Sequence, residues 1–434
     1  MLDLALVRRD PERVRDSASR RGLDAGFVDR VLELDTRLRA LRTNVETLKA
    51  EKNALTERIA RAPNRAAAAE ALRPELKALD ERIAAGASEI PALAGEIEQM
   101  LGDVPNVLDP RVPVGRSEED NVVVKQWGTP TSLPFTPKPH WEIGEALGIL
   151  DFERATALSG SRFTVLRGEG ARLSRALINF FLDRAAARSY LEVAPPFLVT
   201  RETMWSTGQL SKFSDAMFAD ASSDLFLIPT AEVPLTALHR GEILSGETLP
   251  LRYCAYSPCF RKEAGAAGKD TRGLMRLHQF EKVELVWLTL PERSDEALQK
   301  LVADSEAVLA ELEIPYRVVD LCSADVGFNA ARTFDLETWL PSQGRYREIS
   351  SCSNCTDFQA RRSGIRFRRA PTARPEFVHT LNGSGLPVGR TLTAILENFQ
   401  EADGSVRVPD ALIPYAGFSR IGAPPASPQG NGTT

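Results

Sequence analysis

Phe260-Arg261-Lys262-Glu263 leads through a glycine-rich turn, Ala264 to Gly273, into Met275-Arg276-Leu277-His278-Gln279-Phe280-Glu281-Lys282-Val283-Glu284. The stretch concentrates charge where a soluble core would not tolerate it. It reads as strand, loop, strand, and the two-residue period of a strand puts Arg276, His278, Phe280, Lys282 and Glu284 on one face. Around it, short β-branched or aromatic runs (Leu225 to Ile228, Val283 to Leu290, Arg317 to Asp320) mix with helical stretches such as Arg172 to Arg188 and Glu292 to Leu312. Strands and helices without strict alternation predict an α+β domain on an antiparallel sheet. An aromatic ring flanked by cations and acceptors suits a base that stacks while the cations hold phosphate. An exposed strand face with cross-strand ion pairs is the commoner reason for any one of these residues; their combination weakens that reading.

Working outward, the N-terminal quarter is periodic. Phe27, Val31, Leu34, Leu38, Leu41, Val45 and Leu48 alternate steps of four and three, and Leu55 and Ile59 resume the series with Lys52 in the slot between. That is an apolar heptad seam. Pro63-Asn64 interrupts it, since proline costs a helix interior roughly 3 kcal/mol. A second seam follows: Leu72, Leu76, Leu79, Ile83, Gly86, Ile90, Leu93, Ile97 and Met100. Two helices with so short a break should fold back as an antiparallel coiled coil over about residues 27–101. At ~1.5 Å per residue, about 35 residues per helix make an arm on the order of 50 Å long. Lys49, Lys52, Arg58, Arg61 and Arg65 near the tip meet only Glu51 and Glu57. A solvated coiled-coil surface is the blander account of that cluster, and phosphate contact the sharper one.

The expected division is an N-terminal domain over 1–104, a second domain over 105–420 and a disordered tail over 421–434. Gly102 to His140 is rich in proline and reads as a linker with a short strand at Val122 to Val124. Hydrophobic residues are 43% of the 434 and charged residues 26%, a balance that excludes a mostly disordered chain. The net charge is −5, so a polyanionic partner must be held by a local basic patch. Five cysteines rule out a disulfide scaffold and suit a reducing compartment. Met1 to Asp10 has no apolar core of signal-peptide length, and no uncharged apolar run approaches the ~20 residues that span a bilayer. A soluble, cytoplasmic chain without a membrane partner is expected.

Two further segments carry chemistry. In Arg347-Glu348-Ile349-Ser350-Ser351, carboxylate and hydroxyl oxygens can share magnesium with a nucleotide's phosphates. In Asn382-Gly383-Ser384-Gly385-Leu386-Pro387-Val388-Gly389-Arg390, running into the helical Thr391 to Gln400, glycines let backbone approach a ligand and Arg390 supplies a cation at the helix start. The sequence has neither a lysine-bearing P-loop nor a dinucleotide fingerprint, and no Gly-x-Ser-x-Gly elbow. Cys352-Ser353-Asn354-Cys355 looks like half of a zinc site. Cys254, Cys259 and Cys322 supply no second such pair, and no structural zinc is expected.

Three segments of the chain resemble, in order, the signature motifs of class II aminoacyl-tRNA synthetases. Tyr190-Leu191-Glu192-Val193-Ala194-Pro195-Pro196 looks like motif 1, Phe260 through Glu284 like motif 2, and Gly383 to Arg390 with Thr391 to Asn398 like motif 3. Thr230-Ala231-Glu232-Val233-Pro234-Leu235, Arg276 to Glu284 and Ser351 to Arg362, together with the arm, are similar to the bacterial-type seryl-tRNA synthetase family. The match runs to about Ser419. Ser189 stands where that family usually has Gly, and Pro387 where it usually has Ala; Pro387, lacking an N–H, should sit where the sheet does not need one.

What the resemblance implies is a serine–tRNA ligase that forms seryl-adenylate from L-serine and ATP and then charges tRNA(Ser) through the arm, with tRNA(Sec) left open. By resemblance Arg261 bridges the α-phosphate and the serine carboxylate, Glu263 contacts adenine, Phe280 stacks on it, and Arg276 with Arg390 holds the β- and γ-phosphates. Lys262, Leu277, Ile349 and Ser350 complete the ATP site, and Glu348 and Ser351 ligate Mg2+. Thr230, Ala231 and Glu232 receive the α-amino end of serine, and Glu284 and Ser384 read its hydroxyl. Arg261, Glu348 and Arg390 form the catalytic set, and a homodimer forms around Pro196. Two alternatives stand beside this: a relative that passes an activated amino acid to a carrier, and a non-catalytic coiled-coil scaffold.

Overall fold

A computed structural model describes residues 1–210, 214–264 and 272–422 of the chain. It divides into two compact units, Met1–Val107 and the chain from Leu108 onward. Near the start of the second unit the Asp109 N–H donates to the Ala331 carbonyl at 2.9 Å.

The first unit is dominated by helix α1 (Phe27–Arg61) and helix α2 (Arg65–Asp103). Asn64 turns the chain between them, its side chain accepting from the Ala67 N–H at 3.1 Å as an N-cap. Val31, Leu34, Leu38, Val45, Leu48 and Leu55 are buried along α1, and Leu79, Gly86, Leu93 and Ile97 along α2. The seam enters one residue later than the heptads suggest: Val28 is fully buried and Phe27 only partly. There α1 also packs under two short helices, Leu4–Arg9 and Pro11–Arg20, which bury Val7 and Val14. Asp35, buried at this base, accepts from Arg8 Nε at 2.8 Å and Arg39 Nε at 3.0 Å. Lys52 answers its place in an apolar seam by pairing with Asp80 on the other helix at 2.5 Å. Pro74 and Pro91 lie inside α2 on its exposed side, where the carbonyl that loses its backbone hydrogen bond is open to solvent rather than buried in the core.

In the second unit an eight-stranded sheet is laid down by β1 (Val122–Trp127), β2 (Leu191–Glu192), β3 (Leu251–Phe260), β4 (Gln279–Thr289), β5 (Tyr316–Asp320), β6 (Arg332–Leu340), β7 (Arg345–Thr356) and β8 (His379–Pro387). The order across it is β1-β5-β6-β7-β8-β4-β3-β2. Every neighbouring pair is antiparallel except β3 with β2. The expected linker strand is longer than Val122 to Val124 and forms the sheet's edge. Strand alternation divides β4 cleanly: Val283, Leu285 and Trp287 enter one apolar cluster, and Val286 and Leu288 another on the opposite face. The first cluster is completed by helix α3 (Gly168–Ala187), helix α5 (Ser294–Glu311) and helix α7 (Val388–Asn398). On the second face sit helix α4 (Glu232–Ala237) and helix α6 (Phe358–Ser363). Pro387 closes β8 at the last rung of its ladder and precedes α7, so the missing N–H falls where pairing ends. The expected tail opens on Ile421, which is fully buried and with Arg420 forms a strand paired with Val406–Arg407; residues 423–434 lie outside the described residues. Among the described residues no helix is long and apolar enough to cross a membrane.

Ser189 follows α3 with φ +66°, the left-handed conformation that ends many helices on glycine. An L-residue there costs roughly 1–2 kcal/mol, offset in part by the greater unfolded-state freedom of Gly. Ser189→Gly should therefore stabilise the chain by about 0.5–1 kcal/mol, read as a higher urea midpoint with an unchanged slope.

Candidate active site

Past the cover of α4 and α6, the face of β4 that carries Val286 and Leu288 continues through Glu284, Lys282 and Phe280 into a cleft. Arg261, Glu263, Arg276, Phe280, Lys282, Glu348, Ser384 and Arg390 are among the residues that line it. Four cations thus meet two carboxylates, a balance suited to a polyphosphate. Arg261 and Glu263 follow the end of β3 and face the cleft. Lys262 does not: its ammonium lies 5.9 Å from the Phe218 ring, outside the lining, as alternation along an extended segment requires.

The single face expected for residues 276 to 284 needs correction. The strand begins only at Gln279, so alternation does not govern Arg276 and His278. Arg276 still reaches the cleft, where its guanidinium holds Glu263 at 2.6 Å. His278 turns away, with Nδ1 3.0 Å from the Arg261 carbonyl and its ring against Phe163 and Phe218. The Arg261 guanidinium stands 5.0 Å from the centre of the Phe280 ring, and its Nε donates to the Pro229 carbonyl at 3.2 Å.

A bulge in β7 decides the second wall. The register between β6 and β7 shifts so that Leu336 faces Ser350 and Glu337 faces Glu348. Ile349 is the extra residue, and Glu348 and Ser351, three apart, are both brought to one hollow that they share with Asp335 and Arg390. Arg390, at the start of α7, holds Glu348 at 2.9 Å and its carbonyl at 3.0 Å. The Arg390 charge keeps the Glu348 carboxyl below the usual carboxylate range. Burial, then the Glu348 charge, pushes Asp335 upward, and its Oδ1 has no hydrogen-bond partner among the described residues. Ile349 lines the cleft, whereas Ser350 is buried and donates to the Ser384 carbonyl at 2.8 Å. Leu277 is an apolar wall of the cleft.

One hydrogen bond deeper lies a buried polar corner. Lys282 forms an ion pair with Glu284, which also accepts from the Thr230 hydroxyl. Glu284 faces Ser384 directly across the β4–β8 ladder, just before a second bulge. The Thr230 oxygen accepts from the Glu232 N–H at 3.1 Å. Glu232 is 7% exposed; burial first, and the Glu284 charge second, push its carboxyl up to about 7. Ala231 is fully buried in the apolar cluster behind this corner. Sequence reading named the two carboxylates and missed what holds them: Lys282 as counter-ion of Glu284, and Gln359, which donates to Glu232 at 2.7 Å. Lys282 alternates visibly with Glu284, but two residues on one strand face do not announce an ion pair.

The five cysteines are buried free thiols. Burial pushes Cys352 up to about 12 and raises Cys355. Among the described residues no group of three or more His, Cys, Asp or Glu side chains could hold a metal by itself.

A profile of the family described as "Seryl-tRNA synthetase N-terminal domain" matches residues 1–108, and one described as "tRNA synthetase class II core domain (G, H, P, S and T)" matches residues 213–399. A "Serine--tRNA ligase" from Geobacter sp. (strain M21) is 57% identical over 418 residues, covering 96% of this chain and 99% of that one. The crystal structure of seryl-tRNA synthetase from Pyrococcus horikoshii complexed with ATP superposes with a TM-score of 0.94 at 41% identity, covering 97% of this chain and 99% of that one. The cytoplasmic serine–tRNA ligase of Naegleria fowleri in complex with AMP gives 0.88 at 35% identity, with 97% and 98% covered.

Proposed function

The chain belongs to the seryl-tRNA synthetase family, and from that premise we propose that it joins serine to ATP as seryl-adenylate, releases pyrophosphate, and transfers the seryl group to the 3′ end of tRNA(Ser). One observation carries the reading at this site: a cleft lined by four cations adjoins, one hydrogen bond away, a buried corner of carboxylates and hydroxyls.

The chemistry fits that layout. Serine's carboxylate is an anion at neutral pH, so its attack on the α-phosphorus needs no general base. A bond forms from carboxylate oxygen to phosphorus as the bond to pyrophosphate breaks, and the rate comes from alignment and charge neutralisation. Arg261 neutralises the α-phosphate and the incoming carboxylate. Arg276 and Arg390 take the β- and γ-phosphates; their ion pairs with Glu263 and Glu348 orient them before the nucleotide arrives. Glu263 then turns to the adenine, which stacks on Phe280. Glu348 and Ser351 would hold Mg2+, an all-oxygen donor pair that suits a hard cation, beside the Asp335 Oδ1 that has no hydrogen-bond partner among the described residues. The ion would supply positive charge to the triphosphate. Thr230 and Glu232 receive the serine ammonium, and Glu284 and Ser384 its hydroxyl.

The arm, with its basic tip, grips the tRNA. A second copy of the chain covers the apolar residues exposed around Pro196, namely Leu191, Phe197 and Leu198. Serine-dependent ATP–pyrophosphate exchange measured alongside tRNA charging tests the whole. Both activities are expected; exchange without charging supports transfer to a carrier, and neither supports a scaffold.

Glu232 gives a pH signature. It binds an ammonium only when ionised, and its carboxyl sits at about 7. Lowering the pH through 7 should raise KM for serine, approaching about tenfold per unit on the acid side, while KM for ATP stays nearly flat between pH 6 and 8.5. A serine KM independent of pH over that range overturns the role given to Glu232.

A further inference from the structure

Gln359 lies in α6, fully buried, with no access to the cleft. Its side-chain amide is nonetheless satisfied at both ends: Nε2 donates to Glu232 Oε1 at 2.7 Å, and Oε1 accepts from the Thr380 hydroxyl at 2.7 Å. Thr380, on β8, is also fully buried. The geometry allows one orientation of the amide. An ionised carboxylate only accepts, so the NH2 must face Glu232, and the carbonyl is left to the Thr380 O–H. We infer that Gln359, set by Thr380, is a positioning residue for serine recognition, holding one oxygen of Glu232 so that the other faces the incoming ammonium. The inference rests on the reading of Glu232 as the receptor of the serine amino group.

The physical argument is one of compensation. Glu232 is taken out of water beside a second carboxylate, Glu284, and buried charge is costly unless it is hydrogen-bonded. Lys282 and Arg261 oppose that cost from β4 and from the segment after β3; the Cys355 thiol on β7 adds no charge while protonated. Among the groups packed against Glu232, Gln359 is the neutral one that donates directly to the carboxylate. It favours the ionised form without adding a charge that would compete for the substrate. The fully buried amide has two rotamer-fixing bonds, so it costs little to hold in place. A hydrocarbon here would leave the Glu232 oxygen and the Thr380 hydroxyl without partners, and a glutamate would set a third carboxyl in the same corner.

The test compares Gln359→Glu, Thr380→Val, Thr380→Ser and Glu232→Gln with the parent chain in ATP–pyrophosphate exchange from pH 6 to 9. Gln359→Glu should raise KM for serine at least tenfold and move the acid limb of its pH profile upward by a unit or more, with KM for ATP within twofold. Thr380→Val should give a smaller rise in the same direction, and Thr380→Ser should restore the parent value because the hydroxyl returns. A structural role alone would change both substrate KM values or the yield of folded protein, without moving the acid limb. Glu232→Gln separates the two readings. If it leaves KM for serine unchanged, the premise about Glu232 fails; if it raises that KM while Gln359→Glu and Thr380→Val leave both KM and pH profile at parent values, the inference about Gln359 alone is overturned.

Discussion

Replacing Glu284 by alanine should abolish serine-dependent pyrophosphate exchange while ATP binding survives. The carboxylate is 1% exposed and is held by Lys282 and the Thr230 hydroxyl, directly opposite Ser384. A corner built to hydrogen-bond a hydroxyl discriminates by roughly 10⁴–10⁵ against a ligand that lacks one, because its own polar atoms are left without partners. Removing the carboxylate destroys the same recognition from the protein side. It also strands the charge of Lys282, a residue only 8% exposed, at a cost of about 3–5 kcal/mol. For that reason Glu284→Gln is the informative companion. It keeps the volume and an acceptor for Thr230 and loses the charge, and exchange should fall by about 10²–10³ with a thermal midpoint near that of the parent. Calorimetric titration with ATP should give a Kd within threefold of the parent for both variants. Exchange close to the parent level in Glu284→Ala would sink the assignment.

The second large effect concerns the arm. Val45 on α1 and Gly86 on α2 face each other so closely that a Cβ on Gly86 would stand 2.6 Å from Val45 Cγ2. Cutting both helices at this rung, by replacing residues 46–85 with a short turn, removes the distal hairpin. It keeps the base, where Asp35 holds Arg8 and Arg39. Of the five basic residues near the tip, Lys49, Lys52 and Arg61 are engaged with Glu46, Asp80 and Glu57, and Arg58 and Arg65 are exposed. Each cation that neutralises a phosphate releases counterions, so their loss should cost affinity steeply at moderate salt. Pyrophosphate exchange should stay within twofold of the parent, and kcat/KM for tRNA charging should fall by about a hundredfold or more. Equal loss of the two activities would mean that the hairpin supports the fold of the catalytic unit and does not deliver RNA.

The coiled-coil hairpin was readable because its cause is local. A heptad repeat names the buried face of a helix without reference to anything distant, and Pro63-Asn64 marks the turn in the same terms. Its departures are tertiary: Val28 displaces Phe27 where two further helices cover α1, and Asp35 is buried because Arg8, far back in sequence, reaches it. The α+β class and the charged strand were legible for a similar reason, since alternation along β4 is a property of the strand. Its extension past the strand failed for His278, which turns away where the strand has not yet begun, while Arg276 reaches the cleft without the help of alternation.

What the amino-acid order by itself determined is the set of periodic elements and the chemical types gathered in three segments. Family resemblance then attached roles to those residues. Only the tertiary structure decided which of them share a space. One extra residue in a ladder, Ile349 in β7, sets the side on which Glu348 and Ser351 emerge, and the unbroken register of β8 with β4 up to Ser384 sets that residue opposite Glu284. A one-residue shift in register turns every later side chain to the other face, and no local propensity encodes which shift occurs. The supports of the buried carboxylates, Lys282 for Glu284 and Gln359 with Thr380 for Glu232, come from separate elements or share only a strand face. They meet because a buried charge must find partners wherever the packed chain can supply them.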